Sequence, residues 1–218
     1  MRIPFGDGEL AGLWTPAPAP SAVAVVAHGA NNDMRHSFLS GVASALAERD
    51  VSTLRFNFPY KTAGRGYPDR PPVLMDAWRA ALAEATKRGG AHPVVASGKS
   101  LGGRMASMVA AEDGESFAGA AIVFFGYPLH APGRSEQARD AHLPSVRVPM
   151  LFIQGTRDSL ASFDLMRALV KRLGRTAKLH VVEGADHSFR TRGARRPDGD
   201  IGSELGAVAA DFIREVVA

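Results

Sequence analysis

The 218-residue chain contains no cysteine, which excludes a disulfide framework, a thiolate metal site and a cysteine nucleophile. It has no apolar stretch long enough to span a membrane, and Met1-Arg2-Ile3-Pro4-Phe5-Gly6-Asp7 carries no continuous apolar segment of the signal-peptide kind. Charge of one sign is also scarce: the net charge is +4, too modest to point to a nucleic-acid or membrane partner. One local concentration, Arg190, Arg192, Arg195 and Arg196, falls among Gly, Pro and Asp and reads as a solvated loop. A single cytoplasmic domain over residues 1–218 is the expectation.

What is present alternates. Ile3 to Phe5 and Glu9 to Trp14 flank Gly6-Asp7-Gly8 as a hairpin, and Thr15-Pro16-Ala17-Pro18-Ala19-Pro20 then acts as a stiff connector. Six short apolar runs follow, Val23 to Ala27, Val51 to Phe56, Val94 to Ala96, Ala120 to Phe125, Met150 to Ile153 and Leu179 to Val182. Their unbroken apolar character predicts strands covered on both faces. Between them, Phe38 to Glu48, Val73 to Lys87, Leu101 to Ala111, Phe163 to Leu173 and Ile201 to Val217 carry helical spacing. The pattern predicts an α/β fold with a mostly parallel sheet of about eight strands and helices on both faces. Tyr127 to Pro149 is too short for a lid domain, and ligands are expected beyond the carboxyl ends of the strands.

At one such end stands Gly98-Lys99-Ser100-Leu101-Gly102, a G-x-S-x-G pattern between an apolar run and a helix. A serine on so tight a turn needs small residues two positions either side, which Gly98 and Gly102 provide. The embedded Gly-Lys-Ser also suggests a phosphate-binding loop, but that loop needs a glycine where Pro93 stands, and Val94 to Ala96 read as strand. Ser100 is therefore the candidate nucleophile. A serine hydroxyl needs a histidine base and a carboxylate to orient it, in the chain order nucleophile, acid, histidine. Asp158, after Met150 to Gly155, and His187, in the loop after Leu179 to Val182, satisfy that order; His130 precedes the acid, and His180 reads as a packing or surface residue. The backbone amides of Leu101 and Ala30 are the candidate oxyanion donors, with Asn31 as the fallback. His28 braces the Ala30 loop, and Asn31, Tyr127 and His130 are candidates for the substrate pocket wall.

Together with His28-Gly29-Ala30, Arg55-Phe56-Asn57-Phe58, Gly126-Tyr127-Pro128-Leu129-His130, Gln154 to Asp158 and Gly184 to Phe189, these blocks occur in an order that resembles the α/β-hydrolase superfamily. Within it the chain is similar to small bacterial hydrolases related to dienelactone hydrolases, and to the hydrolase-like subunit of an animal histone-acetyltransferase complex. The resemblance implies a serine hydrolase with Ser100 as nucleophile, Asp158 as acid and His187 as base, acting on a small-molecule ester with no metal or organic cofactor. Dienelactone hydrolases use cysteine, so their substrate does not carry over. The alternative it implies is a non-catalytic interaction module on the same fold. Lys99 and Arg104 are read as structural, with tips reaching solvent or a nearby carboxylate.

Overall fold

The structure is a computed structural model that describes residues 1–193 and 195–218. Ala194, inside the arginine-bearing loop, lies outside the described residues. Eight strands form one sheet in the order β1-β2-β4-β3-β5-β6-β7-β8. The hairpin strands β1 (Arg2–Phe5) and β2 (Gly8–Thr15) pair antiparallel, and β2 joins β4 (Val51–Phe56) antiparallel. From there β3 (Ala22–Ala27), β5 (Val94–Lys99), β6 (Ala121–Phe125), β7 (Met150–Gly155) and β8 (Ala177–Val182) continue in parallel. The chain reverses direction across the sheet after β4, so β3 and β5 are neighbours at the switch point where such sheets bind ligands.

Alternate residues of the central strands feed two apolar layers. On one side Val23, Val25, Ala96, Ile122, Phe124 and Phe152 meet α3 (Pro71–Gly89), α4 (Leu101–Asp113) and α5 (Phe163–Leu173). On the other Ala24, Val26, Val95, Val123, Phe125 and Ile153 meet α1 (Ser37–Ala47) and α6 (Asp198–Val217). Covering on both faces is why these strands read as unbroken apolar runs. The edge strand β8 is half exposed, with Val181 in solvent.

The elements sit where the apolar periodicity places them, and the differences lie at their ends. Helix α3 starts two residues before the periodic pattern, at Pro71, because a proline in the first helical turn loses no hydrogen bond. Strand β5 runs three residues past its apolar core, through Ser97, Gly98 and Lys99, all buried. A four-residue helix α2 (Pro59–Thr62) follows β4 and was not signalled by periodicity. Among the described residues no helix is long and apolar enough to cross a membrane.

Helices α1 and α6 approach closely through glycine. A Cβ on Gly41 would lie 1.9 Å from the Gly199 carbonyl oxygen, and one on Gly202 would lie 2.0 Å from that of Phe38. Both obstacles are backbone, which cannot move aside without parting the helices. Gly202→Ala is expected to destabilise the protein by about 3 kcal/mol or more, the upper range for overpacking a core, read as a shift in the urea midpoint. An unchanged midpoint would show that the helix pair can separate freely.

Candidate active site

The turn between β5 and α4 places Ser100 at φ 51° and ψ −114°, a conformation that residues with a Cβ seldom adopt. Two contacts require the flanking glycines. A Cβ at Gly98 would sit 2.2 Å from the Gly103 nitrogen, and one at Gly102 would be 2.8 Å from the Ala27 and His28 carbonyl oxygens. The serine amide donates to the Phe125 carbonyl at 3.2 Å, and Trp78 Nε1 on α3 donates to the Gly102 carbonyl at 2.9 Å. The first turn of α4 is thereby pinned against β3, β6 and α3 together.

Strand ends bring the other two side chains to this turn. His187 Nε2 lies 2.8 Å from Ser100 Oγ, and His187 Nδ1 lies 2.7 Å from Asp158 Oδ2. The Asp158 side chain is fully buried while the histidine ring keeps partial solvent access. The acid is held from three directions: Oδ2 also accepts from Gln154 Nε2 at 2.5 Å, and Oδ1 accepts from the Leu160 amide at 2.8 Å. Gln154 in turn accepts from the Tyr127 amide at 2.9 Å, so it ties the chain after β6 to the acid. With both carboxylate oxygens engaged, the aspartate presents a fixed acceptor that selects the histidine tautomer protonated at Nδ1.

The histidine loop is shaped by its neighbour Asp186, whose Oδ1 accepts from the Ser188 and Arg190 amides at 2.8 and 2.9 Å. Phe189 completes the turn at φ 62°. Gly155, at the end of β7, allows this loop to pass over it, since a Cβ there would be 2.3 Å from the Ala185 carbonyl oxygen. Acid and base are thus bound through backbone as well as through the side-chain pair.

The loop after β3 lies beside the serine: a Cβ on Gly29 would be 3.6 Å from Ser100 Cβ. His28 organises this loop from within. Its Nδ1 donates to the Gly29 carbonyl at 2.8 Å and its Nε2 accepts from the Phe58 amide at 3.1 Å. In a trans peptide the carbonyl and the following amide point opposite ways, so drawing the Gly29 carbonyl towards His28 turns the Ala30 N–H the other way. Tyr60 Oη donates to the Ala30 carbonyl at 2.8 Å, and Asn57 Oδ1 accepts from the Met34 amide at 2.8 Å. Among the described residues, neither the Ala30 nor the Leu101 amide has a backbone acceptor.

The candidates for the pocket wall fall differently. Tyr127 is buried, with its hydroxyl donating to the Arg139 carbonyl at 2.7 Å and its ring packed edge-on against Phe124. His130 is buried too, its Nδ1 bonded to the Ala131 carbonyl and its Nε2 accepting from the Ser162 amide, both at 2.8 Å. Both hold loops together and offer no free polar group. Asn31 is exposed at the rim of a shallow depression shared with Asp33 and Lys61.

Two residues of this site carry no signal in the residue-by-residue reading. Gln154 looks like one more position of an apolar strand, and only its polar character in a fully buried run hints at a bonding role. Lys99, expected at solvent or a carboxylate, is buried and donates to the His187 carbonyl at 2.5 Å. That direction leaves it unable to cradle a phosphate above the turn. Arg104 is half-buried: among the described residues its buried Nε has no hydrogen-bond partner, and its side chain lines a cavity of about 820 Å³ between α3, α4 and residues 138–145. In the arginine loop, Arg190 and Arg196 pair with Asp198 and Glu204 of α6. Among the described residues, no group of three or more His, Asp or Glu side chains is placed to hold a metal ion.

A parallel sheet with a strained serine at a strand-to-helix turn and a histidine and aspartate on later strand ends defines the class of α/β hydrolases. Residues 20–216 match the alpha/beta hydrolase domain family, and the chain belongs to that family. Solved structures similar to it include a dienelactone hydrolase from Anabaena variabilis, at 20% identity and TM-score 0.77, covering 100% of this chain and 97% of that one. An alpha-beta serine hydrolase homologue from Coxiella burnetii matches at 19% identity and TM-score 0.76, over 98% and 96%. A lidless serine hydrolase from Xanthomonas campestris matches at 19% identity and TM-score 0.75, over 99% and 93%. At these identities the likeness is one of fold.

Burial lowers the His28 pKa from 6.5 to about 4, partly offset by its bond to Gly29 and by Asp33. The unfolded chain therefore binds a proton on His28 between those values that the folded chain does not. Its contribution is intact above about pH 6.5 and is lost as the pH falls towards 4, up to about 3 kcal/mol at about 1.4 kcal/mol per unit. Urea unfolding of the wild type at pH 7 and pH 4.5 is expected to show that loss, and His28→Asn a flatter dependence. Equal pH slopes in the two proteins would reject the assignment.

Proposed function

We propose that the protein is a serine hydrolase, carboxylesterase-like, that cleaves a small carboxylic ester or thioester through an acyl-enzyme on Ser100. The observation that carries this reading is the unbroken relay from Ser100 Oγ to His187 Nε2 at 2.8 Å and from His187 Nδ1 to Asp158 Oδ2 at 2.7 Å. Ser100 Oγ attacks the substrate carbonyl as His187 Nε2 takes its proton. The imidazolium then hands that proton to the leaving alcohol or thiol, and the carbon–oxygen or carbon–sulfur bond breaks. Water, deprotonated by the same nitrogen, attacks the acyl group; the tetrahedral intermediate collapses, and Ser100 leaves with the proton. Asp158 stays ionised throughout and stabilises the imidazolium.

The developing oxyanion is received by the Leu101 and Ala30 amides. Leu101 opens a 13-residue helix, whose N-terminus adds partial positive charge at that point. Between Tyr127 and Pro149 the chain forms only one short 3₁₀ turn, Leu143–Ser145, so no lid covers the serine. An open site suits small acyl groups or esters displayed on larger molecules. The name of the lidless Xanthomonas serine hydrolase is consistent with this chemistry.

A fluorophosphonate probe and p-nitrophenyl acetate test the reading. The wild type is expected to be labelled at Ser100 and to turn over the ester, and Ser100→Ala to lose at least about a thousandfold in kcat. Asp158→Asn is expected to lose about a thousand- to ten-thousandfold with the fold intact, because the amide can favour the wrong imidazole tautomer. Neither labelling nor turnover in the wild type would favour the non-catalytic interaction module instead.

A further inference from the structure

The lysine one residue before the serine is buried at a position where the fold has no need of a charge. Its stem runs beneath the site: the Cβ position of Gly29 lies 3.7 Å from Lys99 Cγ, and that of Gly126 lies 3.1 Å from Lys99 Nζ and 3.5 Å from the His187 ring. Gly126, at φ 72°, leaves room for the ammonium and the imidazole at once. Beyond it the ammonium donates to the His187 main-chain carbonyl at 2.5 Å and lies 5.1 Å from the centre of the Phe189 ring. Lys99 and Ser100 are adjacent in one strand end, so this bond links the nucleophile's own segment to the histidine loop 88 residues on.

We propose that Lys99 is a positioning residue for His187: by holding the main-chain carbonyl of the histidine, it fixes where the ring stands relative to Ser100. This rests on the serine-hydrolase reading for its catalytic consequence, though not for the geometry. The ring has two side-chain bonds, to Asp158 and to Ser100, and neither acts on the histidine's own backbone. The bond from Lys99 does. The other bonds of the loop, from Asp186 and to Ala185, bear on positions to either side of His187.

Electrostatics argues in the same direction. The charged and titratable groups around Lys99 are Asp158 after β7, Asp186, His187 and Arg190 in the loop after β8, His36 before α1, and Asp198 at the start of α6. Among the described residues the ammonium touches no carboxylate, and burial lowers its pKa to about 8 against the opposing pull of Asp158 and Asp186. Burying an ammonium on one carbonyl bond is unfavourable for folding. Methionine, which fills the same path without charge, would remove that cost while giving up the bond to the His187 carbonyl, and the two changes offset each other, so stability alone does not account for a lysine here.

The test is Lys99→Met, with Lys99→Gln as a second variant should the first fail to fold. In Lys99→Met, kcat for p-nitrophenyl acetate is expected to fall about thirtyfold or more while KM changes less than about threefold, with a urea midpoint close to that of the wild type. The wild-type kcat/KM is expected to decline above about pH 8 as the ammonium loses its proton, and that decline to be absent from the variant. Because the chain has no cysteine, Lys99→Cys can be alkylated at a single thiol in the unfolded state with 2-bromoethylamine and refolded, which restores an ammonium at lysine reach. That product is expected to recover a third or more of the activity of identically treated wild type, and the iodoacetamide adduct none. The Nδ1 proton of His187, followed by NMR, reads the same positioning without turnover and should exchange faster in Lys99→Met. A kcat within threefold of wild type together with an unchanged Nδ1 proton would overturn the proposal. If the wild type hydrolyses no ester and resists fluorophosphonate, the hydrolase reading fails, and the NMR comparison still decides the role of Lys99.

Discussion

Ser100 is held at φ 51° and ψ −114°, and residues with a Cβ carry a cost of about 1–3 kcal/mol in such conformations. The surrounding contacts fix that conformation by denying the turn any alternative. Its amide is bonded to β6 and its carbonyl accepts from the Arg104 amide at 3.0 Å. Gly98 and Gly102 press on Gly103 and on the end of β3 without a Cβ to spare. Relaxing the serine would require α4 to lift away from the sheet, which would expose Met105, Ala106 and Val109, all buried beneath it. The apolar layer under α4 is therefore what keeps a polar side chain standing at the sheet edge.

The same principle governs the other parts of the site. The serine turn and the histidine loop are placed by close approach of backbone to backbone, at Gly98 and Gly102 and at Gly155, and each loop is closed by a buried polar side chain from another element. His28 joins the loops after β3 and β4, Gln154 joins the chain after β6 to Asp158, and Lys99 joins β5 to the loop after β8. Three internal cross-links thus span the mouth of the sheet, each satisfying a backbone group that would otherwise lack a partner. A site built this way needs no lid to gain rigidity.

Much of this was readable before any coordinates. The strands at Val51–Phe56 and Met150–Gly155 announce themselves because two-sided burial forces unbroken apolar runs, and Gly98 and Gly102 announce the turn because only glycine fits there. Ser100, Asp158 and His187 follow from the order of strand ends, and the structure brings all three within hydrogen-bond reach. What was not readable depends on direction. Tyr127 and His130 sit close in sequence to a strand end, yet whether their polar atoms face the cavity or the protein is set by Arg139, Ala131 and Ser162, partners that periodicity does not identify. Lys99 has the same character: a strand position fixes which face a side chain leaves from, but the flexible four-carbon stem decides where its charge ends.

The contrast between His28 and Lys99 shows how burial is handled at this edge. Both are buried and both bond backbone groups of the site's loops. His28 faces one donor and one acceptor, a pairing that only the neutral ring satisfies, and burial drives its pKa down to about 4 so that it remains neutral at neutral pH. Lys99 faces an acceptor alone; burial lowers its pKa to about 8 against the pull of Asp158 and Asp186, still high enough to hold the proton at neutral pH. The neutral side chain braces the loop after β3, and the charged one lies behind His187. There the carboxylate of Asp158 is bonded directly to the ring, whereas the ammonium of Lys99 bonds only the main-chain carbonyl of the same histidine.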